Sequence, residues 1–295
     1  MSPACRTAVL RVVATGPSST IQDLGRPGWF SIGVGVSGAA DRGSLKLANR
    51  LVGNPEDAAG IETLLGGLEL VALAPVLLAV TGADAPITVD GVAQARASVL
   101  AVRSGQRLRI GMAAAGLRVY VGVRGGIAID PVLGSRSRDT LAGLGPEPLS
   151  AGMELGAHES GSYPWPNVEV APVAPVDSGV VTARVVPGPR DDWFTDPHAL
   201  FAGAWQVTDR ADRVGVRLAR VGDDPPLTRI NDKELPTEGV PLGAIQVQPS
   251  GEPVVFLADH PITGGYPVIA TVVTEDVDLL AQARPGQQLR FRPAG

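Results

Sequence analysis

Three glycine-rich segments gather the side chains able to do chemistry. The first, STIQDLGRPGWFSIGVGVSGAADRG from Ser19 to Gly43, sets Gln22, Asp23 and Arg26 in one tight turn and places Ser37 and Asp41 around a second. Carboxylates at such positions cap turns and helices as readily as they meet ligands, whereas Arg26 is a natural anion donor. The second, YVGVRGGIAIDPVLGSRSRDT from Tyr120 to Thr140, ends a strand at Arg124-Gly125-Gly126 and then carries Ser135, Arg136, Ser137 and Arg138. Neighbouring hydroxyls and guanidinium groups suit a carboxylate or phosphate, because arginine donates two parallel hydrogen bonds. The third, FLADHPITGGYPVIA from Phe256 to Ala270, delivers Asp259 and His260 to a strand end, followed by Thr263, Gly264, Gly265 and Tyr266. An imidazole beside a carboxylate is an acid–base pair, and paired glycines let a ligand approach the backbone. His158 and His198 lie in loops without an evident partner.

Absences narrow the chemistry. The chain has no GxxxxGK[ST] phosphate loop, no paired histidines at zinc spacing and no GxSxG nucleophile elbow, since GVSGA at Gly35 to Ala39 has the serine without the pattern. No metal site is expected. Lysine occurs only at Lys46 and Lys233 and the net charge is -5, which excludes a cationic surface for nucleic acid. The one cysteine, Cys5, forbids an intrachain disulfide, and no run approaches the ~20 apolar residues of a membrane span. These features point to a cytoplasmic protein that does not engage membranes.

The elements that position these segments are mostly strands. Branched apolar runs at Val76 to Val80, Val99 to Val102, Leu117 to Val123, Val180 to Val186, Val254 to Leu257 and Val268 to Val273 are each punctuated by Gly, Pro or Asp. Glycine (37) and proline (26) together exceed a fifth of the 295 residues, as many short strands joined by tight turns require. Two helices are expected. One is capped by Asp41, has Leu45, Ala48, Leu51 and Val52 on one face, and exits through Gly53; the other runs from a Thr274 cap to Arg284 before Pro285-Gly286. The fold class is therefore all-β, or β-dominated with few short helices.

An internal repeat divides the chain. SGQRLRI at Ser104 to Ile110 is echoed by PGQQLRF at Pro285 to Phe291, and GLELVAL then VLLAVTGA precede the first copy as GAIQVQP then VVFLADH precede the second. The proline-rich stretch from Tyr163 to Asp177 reads as an extended linker between the halves. This gives an N-terminal half of residues 1–165 and a C-terminal half of 178–295.

Five ordered stretches together resemble one family: TIQDLGRPG with SGAAD, LANRLVGNPEDAAGIET, YVGVRGGI with LGSRS, DRVGVRL, and GAIQVQPSGEPVVFLADHPITGGYPVIA. It is the family variously called KipA-like, allophanate hydrolase subunit 2 or biotin-dependent carboxyltransferase-like, which includes the C-subunit of bacterial 5-oxoprolinase. Ala211 stands where that family often has serine before Asp212-Arg213. The resemblance implies two cyclophilin-like β-barrels and a KipI-like partner, with a further LamB/YcsF-like partner in the lactam-opening enzymes. It implies ATP, with Mg, at a shared or partner site, and a small-molecule substrate. On this reading Arg136 or Arg213 holds a carboxylate or phosphate, Asp259 and His260 move protons, and Gln22, Asp23, Arg26, Ser37, Asp41, Ser135, Thr263, Gly264, Gly265 and Tyr266 line the substrate. Under a biotin-dependent carboxyltransferase alternative, Gln246, Asp259 and the Gly264-Gly265 loop enclose the biotin ureido ring. A further alternative is a non-catalytic antagonist of a KipI-like kinase inhibitor.

Overall fold

A computed structural model describes residues 7–161, 163–222, 226–230, 233 and 235–295; Cys5 lies outside them. The chain forms two compact units. The first comprises Met1–Arg26, Asp41–Asp139 and Gly143–Val176; the second comprises Pro27–Ala40, Thr140–Ala142 and Asp177–Gly295. Segments 27–40 and 140–142 thus group with the C-terminal unit although the sequence around them belongs to the other.

The first unit is two antiparallel sheets around one core. One sheet runs in the order Glu154–Gly156, Ala8–Thr15, Leu68–Ala72, Arg107–Ile110, Ile87–Val89, Val92–Gln94; the other runs Ser18–Gln22, Gly60–Leu64, Ala115–Val123, Val76–Asp84, Val99–Val102. Alternation decides what each buries: Leu10 and Val12 face inward while Arg11 faces solvent, and they meet Ile61, Val80, Val119 and Val121 of the opposite sheet. Sharp corners pass the chain between sheets. Leu65, Gly66 and Gly67 all have positive φ, as does Gly16, whose absent Cβ would stand 1.9 Å from the Gly66 carbonyl oxygen. A closed barrel was expected here; the strands instead form two open sheets, because these corners send consecutive strands to opposite layers.

The helix Arg42–Leu51 lies on the outer face of the five-stranded sheet, its residues Leu51 and Val52 clustering with Ala79 and Ala97. It comes so close that a Cβ at Gly122 would sit 2.7 Å from the Ala48 carbonyl oxygen. With core on one side and helix on the other, strand Ala115–Val123 is buried at every residue, which explains its unbroken apolar run. The expected linker is part of this unit. Val99 and Ala171 donate backbone hydrogen bonds to Glu169 and Ala97, so the proline-rich stretch straps the edge strand Val99–Val102.

The second unit closes. Its barrel runs Val181–Pro187, Val268–Val272, Ala244–Val247, Pro253–Phe256, Gly215–Arg220, Trp205–Val207, Gln288–Pro293 and returns to the first strand through a parallel ladder from Val181↔Leu289 to Val185↔Pro293. One core joins Val185, Trp205, Leu218, Ile245, Val255, Leu289 and Phe291. The opposite parity of three neighbouring strands, Ala244, Val254, Phe256 and Val268, makes a second cluster under Val240. The helix Thr274–Ala281 adds Val277, Leu280 and Ala281 to the main core. Thr274 was expected as its cap but is its first helical residue; Val273 precedes it, no side chain caps the end, and the helix stops before Arg284. Asp276 in its first turn instead grips Arg184 through that residue's backbone N–H and guanidinium, at 2.7–2.9 Å.

The repeat is structural in the turn before its last strand. Gly105 and Gly286 share φ near 85° (85° and 86°), and the Gln106 and Gln287 side chains each accept from the backbone N–H three residues earlier, Arg103 at 2.8 Å and Arg284 at 3.1 Å. Upstream the pairing diverges: Leu68–Ala72 bonds to Ala8–Thr15 and Arg107–Ile110, while Ala244–Val247 bonds to Pro253–Phe256 and Val268–Val272. Among the described residues no helix is long and apolar enough to cross a membrane.

Candidate functional site

In the first unit the turn after strand Ser18–Gln22 closes around Asp23. Its carboxylate accepts from the hydroxyls of Ser135 (2.6 Å) and Ser137 (2.5 Å) and from the backbone N–H groups of Arg136 (2.6 Å) and Gly25 (2.8 Å). The Asp23 backbone N–H in turn donates to the Ser137 hydroxyl. Asp23, Ser135 and Ser137 are all buried, and these partners account for both carboxylate oxygens and both hydroxyls, so the serines expected to line a ligand brace a loop instead.

Arg26 is likewise engaged inside the fold. It is 1% exposed, donates to the Ser137 and Val132 carbonyls and pairs with Asp139 at 3.7 Å, while its buried Nη1 makes no hydrogen bond among the described residues. Gln22 is fully buried and spends its amide N–H groups on Thr20 and the Arg138 carbonyl; its Oε1 has no protein partner. Asp41 is the helix cap, accepting from the Ser44 N–H at 2.8 Å and hydroxyl at 2.6 Å.

Arg136 behaves differently from its neighbours. Its backbone N–H goes to Asp23 and its Nε to the Ile129 carbonyl at 2.8 Å, while neither Nη has a protein partner among the described residues. It lines a cavity of about 390 Å³ with Asp57, Gly125, Gly126, His158 and Tyr163. The two glycines have φ of 91° and 72°, and a Cβ on Gly125 would lie 2.0 Å from the His158 carbonyl oxygen, so the turn admits no side chain there. Asp57, His158 and Tyr163 were missed as site residues; a loop histidine and a carboxylate inside LVGNPEDAAG carry no local pattern that announces a cavity.

In the second unit the corresponding knot is Asp259. Arg213 donates Nε to Oδ2 at 2.9 Å and Nη2 to Oδ1 at 3.1 Å, Ser37 donates its hydroxyl at 2.6 Å, and Thr140 donates its N–H at 2.9 Å and hydroxyl at 2.7 Å. Burial alone would raise the Asp259 pKa. The Arg213 charge and hydrogen bond, with those from Ser37 and Thr140, outweigh it and hold the carboxyl below its usual 3.8. Ser37 is held at φ 56°, a left-handed conformation costly for a side chain with a Cβ. A carboxylate with five donors and a depressed pKa is a poor proton acceptor. Asp259 thereby ties Arg213, Ser37 and Thr140 together, and the second Nη2 contact of Arg213 is the Gly38 carbonyl at 2.5 Å.

His260 follows at the strand end, half-buried, its ring 6.0 Å from that of Phe256. Nδ1 bonds the Pro261 carbonyl at 2.8 Å, which in the neutral ring leaves Nε2 as the basic nitrogen. Gln246, 6% exposed, donates Nε2 to the Tyr266 carbonyl at 2.9 Å. A Cβ on Gly264 would lie 2.5 Å from that Nε2, so the Gln246 amide packs directly over Gly264. Thr263–Gly264 pairs with Glu238–Gly239, while Gly265 and the partly exposed Tyr266 flank the ladder.

The family expected from the five ordered motifs is also the one found by comparison. Residues 32–293 match the carboxyltransferase domain, subdomain A and B. The 5-oxoprolinase C-subunit of Escherichia coli is 33% identical over 96% of this chain and 90% of its own length. The crystal structure of TTHA0988 aligns with a TM-score of 0.88 at 34% identity, covering 99% of this chain and 57% of that one. Urea amidolyase of Kluyveromyces lactis aligns with a TM-score of 0.88 at 27% identity over the whole of this chain and 19% of its own. The chain therefore spans little more than half of the one solved protein and about a fifth of the other, while it runs nearly the full length of the bacterial protein. It belongs to the carboxyltransferase domain, subdomain A and B, family and is a homologue of the 5-oxoprolinase C-subunit.

Proposed function

We propose that the chain is a subunit of an ATP-dependent 5-oxoprolinase, opening 5-oxoproline to glutamate together with KipI-like and LamB/YcsF-like subunits. The observation that carries this reading is end-to-end likeness to a protein that is itself a separate subunit: 96% of this chain against 90% of the bacterial C-subunit. The two halves, 1–165 and 178–295, are taken as cyclophilin-like modules of one family unit. A lactam is a poor electrophile. Transfer of the ATP γ-phosphoryl group to the lactam oxygen makes the carbon electrophilic; one water adds there and the C–N bond breaks as the nitrogen takes a proton, leaving an acyl phosphate that a second water hydrolyses to glutamate and phosphate. The sequence has no phosphate loop, which favours ATP and its Mg at a site shared with, or held by, the partner.

Within that scheme His260 is the proton-handling group, with Asp259 positioning the loops beside it rather than reacting. Within the first unit taken by itself, Arg136 is the candidate anion holder, because Arg26 is engaged by the Ser137 and Val132 carbonyls. The test is glutamate release from 5-oxoproline and ATP by the reconstituted complex, with and without this chain; release that does not depend on it rejects the reading. In the same assay His260→Ala is expected to lower kcat by about a hundred- to ten-thousand-fold. Unchanged turnover removes His260 from the mechanism. The likeness to urea amidolyase favours a second reading, carboxyl transfer from carboxybiotin to urea. Transfer of labelled carboxylate from carboxybiotin in the absence of 5-oxoproline turnover selects it.

A further inference from the structure

The cavity of the first unit holds two opposite charges that are not spent on each other. Arg136 is fixed from behind, its backbone by Asp23 and its Nε by Ile129, and it turns two Nη groups without protein partners toward solvent-accessible space. Asp57, exposed on the loop after the helix Arg42–Leu51, lines the same cavity, and no hydrogen bond or ion pair among the described residues engages its carboxylate. Its loop is anchored by Asn49, whose amide donates to the Glu56 and Ala58 carbonyls at 3.1 and 2.7 Å on either side of Asp57. Both charged groups thus stand on braced backbone, and Gly125-Gly126, where a Cβ on Gly125 would clash with the His158 carbonyl, lines the same cavity.

A volume of about 390 Å³ is at the small-molecule end of binding cavities. A guanidinium with a spare fork takes a carboxylate, and a carboxylate without a donor takes an N–H. We infer that this cavity binds a small carboxylic acid that also carries an N–H donor, its carboxylate on Arg136 and its N–H toward Asp57, with His158 and Tyr163 lining the middle. The class contains both amino acids and lactam acids. This deepens the 5-oxoprolinase reading, since 5-oxoproline and glutamate both qualify, and rests on that reading only for the choice of probes.

The experiment is calorimetric titration of the full chain with 5-oxoproline, L-glutamate and glutarate, the last having carboxylates but no N–H. Either nitrogen-bearing acid is expected to bind saturably and at least tenfold more tightly than glutarate. Arg136→Gln should weaken every acid tenfold or more and Arg136→Lys should recover part of that loss, while Asp57→Asn should erase the preference over glutarate and leave glutarate itself unchanged. Arg109→Gln, whose exposed guanidinium pairs with Glu69 at 2.6 Å and does not line the cavity, should bind as wild type. Circular dichroism establishes that each variant is folded. No saturable binding by the wild-type chain, or equal binding by wild type and Arg136→Gln, overturns the inference even where the complex releases glutamate. Arg136-dependent binding in a complex that releases no glutamate upholds it and counts against the 5-oxoprolinase reading alone.

Discussion

The Asp23 and Asp259 knots solve one problem with different donors. Each buries a carboxylate that ties together loops distant in sequence. Asp23 is held only by neutral groups, two hydroxyls and two backbone N–H groups, and the arginine beside it contributes its main chain. Asp259 takes a bidentate guanidinium, so its arginine is consumed. The difference teaches where function has room: the unit that satisfies its carboxylate without charge keeps a guanidinium to spend on a ligand. The charged knot is the more costly to break by loss of a partner and offers no open donor.

The largest effect should come from removing charge compensation in the second unit. Arg213→Met leaves Asp259 buried beside two hydroxyls and one N–H, and unfolding in urea should show a loss of about 3–5 kcal/mol, the range for breaking a buried pair. Arg136→Met, which forfeits one hydrogen bond to a carbonyl, should cost only about 0.5–1.5 kcal/mol. Equal losses would abolish the distinction between a consumed and a spare arginine. The Asp259 knot also has an expected response to acid. A carboxyl whose folded pKa lies below 3.8 adds stability that is fully present above the unfolded value and is lost as pH falls through the folded one. Wild-type stability should therefore carry an Asp259 contribution that is constant down to about pH 4 and declines below it, and Asp259→Asn should flatten that decline. A slope below pH 4 identical in the two proteins would mean that Asp259 is not ionised in the fold.

In the first unit the corresponding cut is smaller. Ser137→Ala removes one charge-assisted bond to Asp23 and the acceptor of the Asp23 N–H, and should cost about 1.5–3 kcal/mol by thermal or urea unfolding, while Ser135→Ala should fall in the same range. A loss as large as that of Arg213→Met would show that neutral donors constrain the carboxylate as strongly as a guanidinium does.

What the sequence disclosed, and what it hid, follows from range. Strands were legible because their apolar runs report burial directly: Leu117 to Val123 lies within a strand buried throughout, and Val254 to Leu257 overlaps the barrel strand Pro253–Phe256. The Asp41 cap was legible because its partner, Ser44, is three residues away. The knots were not, because Asp259 meets Ser37 across 222 positions and Asp23 meets Ser137 across 114. Residue type marked these aspartates and arginines as chemically able; only tertiary closure distinguishes Arg213, spent on a carboxylate, from Arg136, left with a fork to donate. The Thr274 cap failed for a related reason, in that the helix end is secured by Asp276 reaching Arg184, 92 positions away, instead of by a local hydroxyl.

The finest comparison is between the two repeated turns. Gln106 and Gln287 occupy the same place after a left-handed glycine, and each accepts one backbone N–H from the residue three positions back. Their surroundings differ: Gln287 also donates Nε2 to the Gly179 carbonyl at 2.8 Å, on the approach to the first barrel strand, whereas Gln106 has no such second tether among the described residues. If the shared acceptor bond is what the repeat preserves, Gln106→Ala and Gln287→Ala should each cost about 0.5–1.5 kcal/mol, with Gln287→Ala at the upper end. Replacement by Glu separates the two contributions, since Glu retains the acceptor and loses the donor. Gln106→Glu should then be nearly silent, and Gln287→Glu should lose only the increment from the Gly179 and Asp177 carbonyls. A Gln106→Glu variant as damaged as Gln106→Ala would show that the common turn is held by its glycine alone, leaving the likeness of the two segments a matter of turn geometry and not of a shared bond.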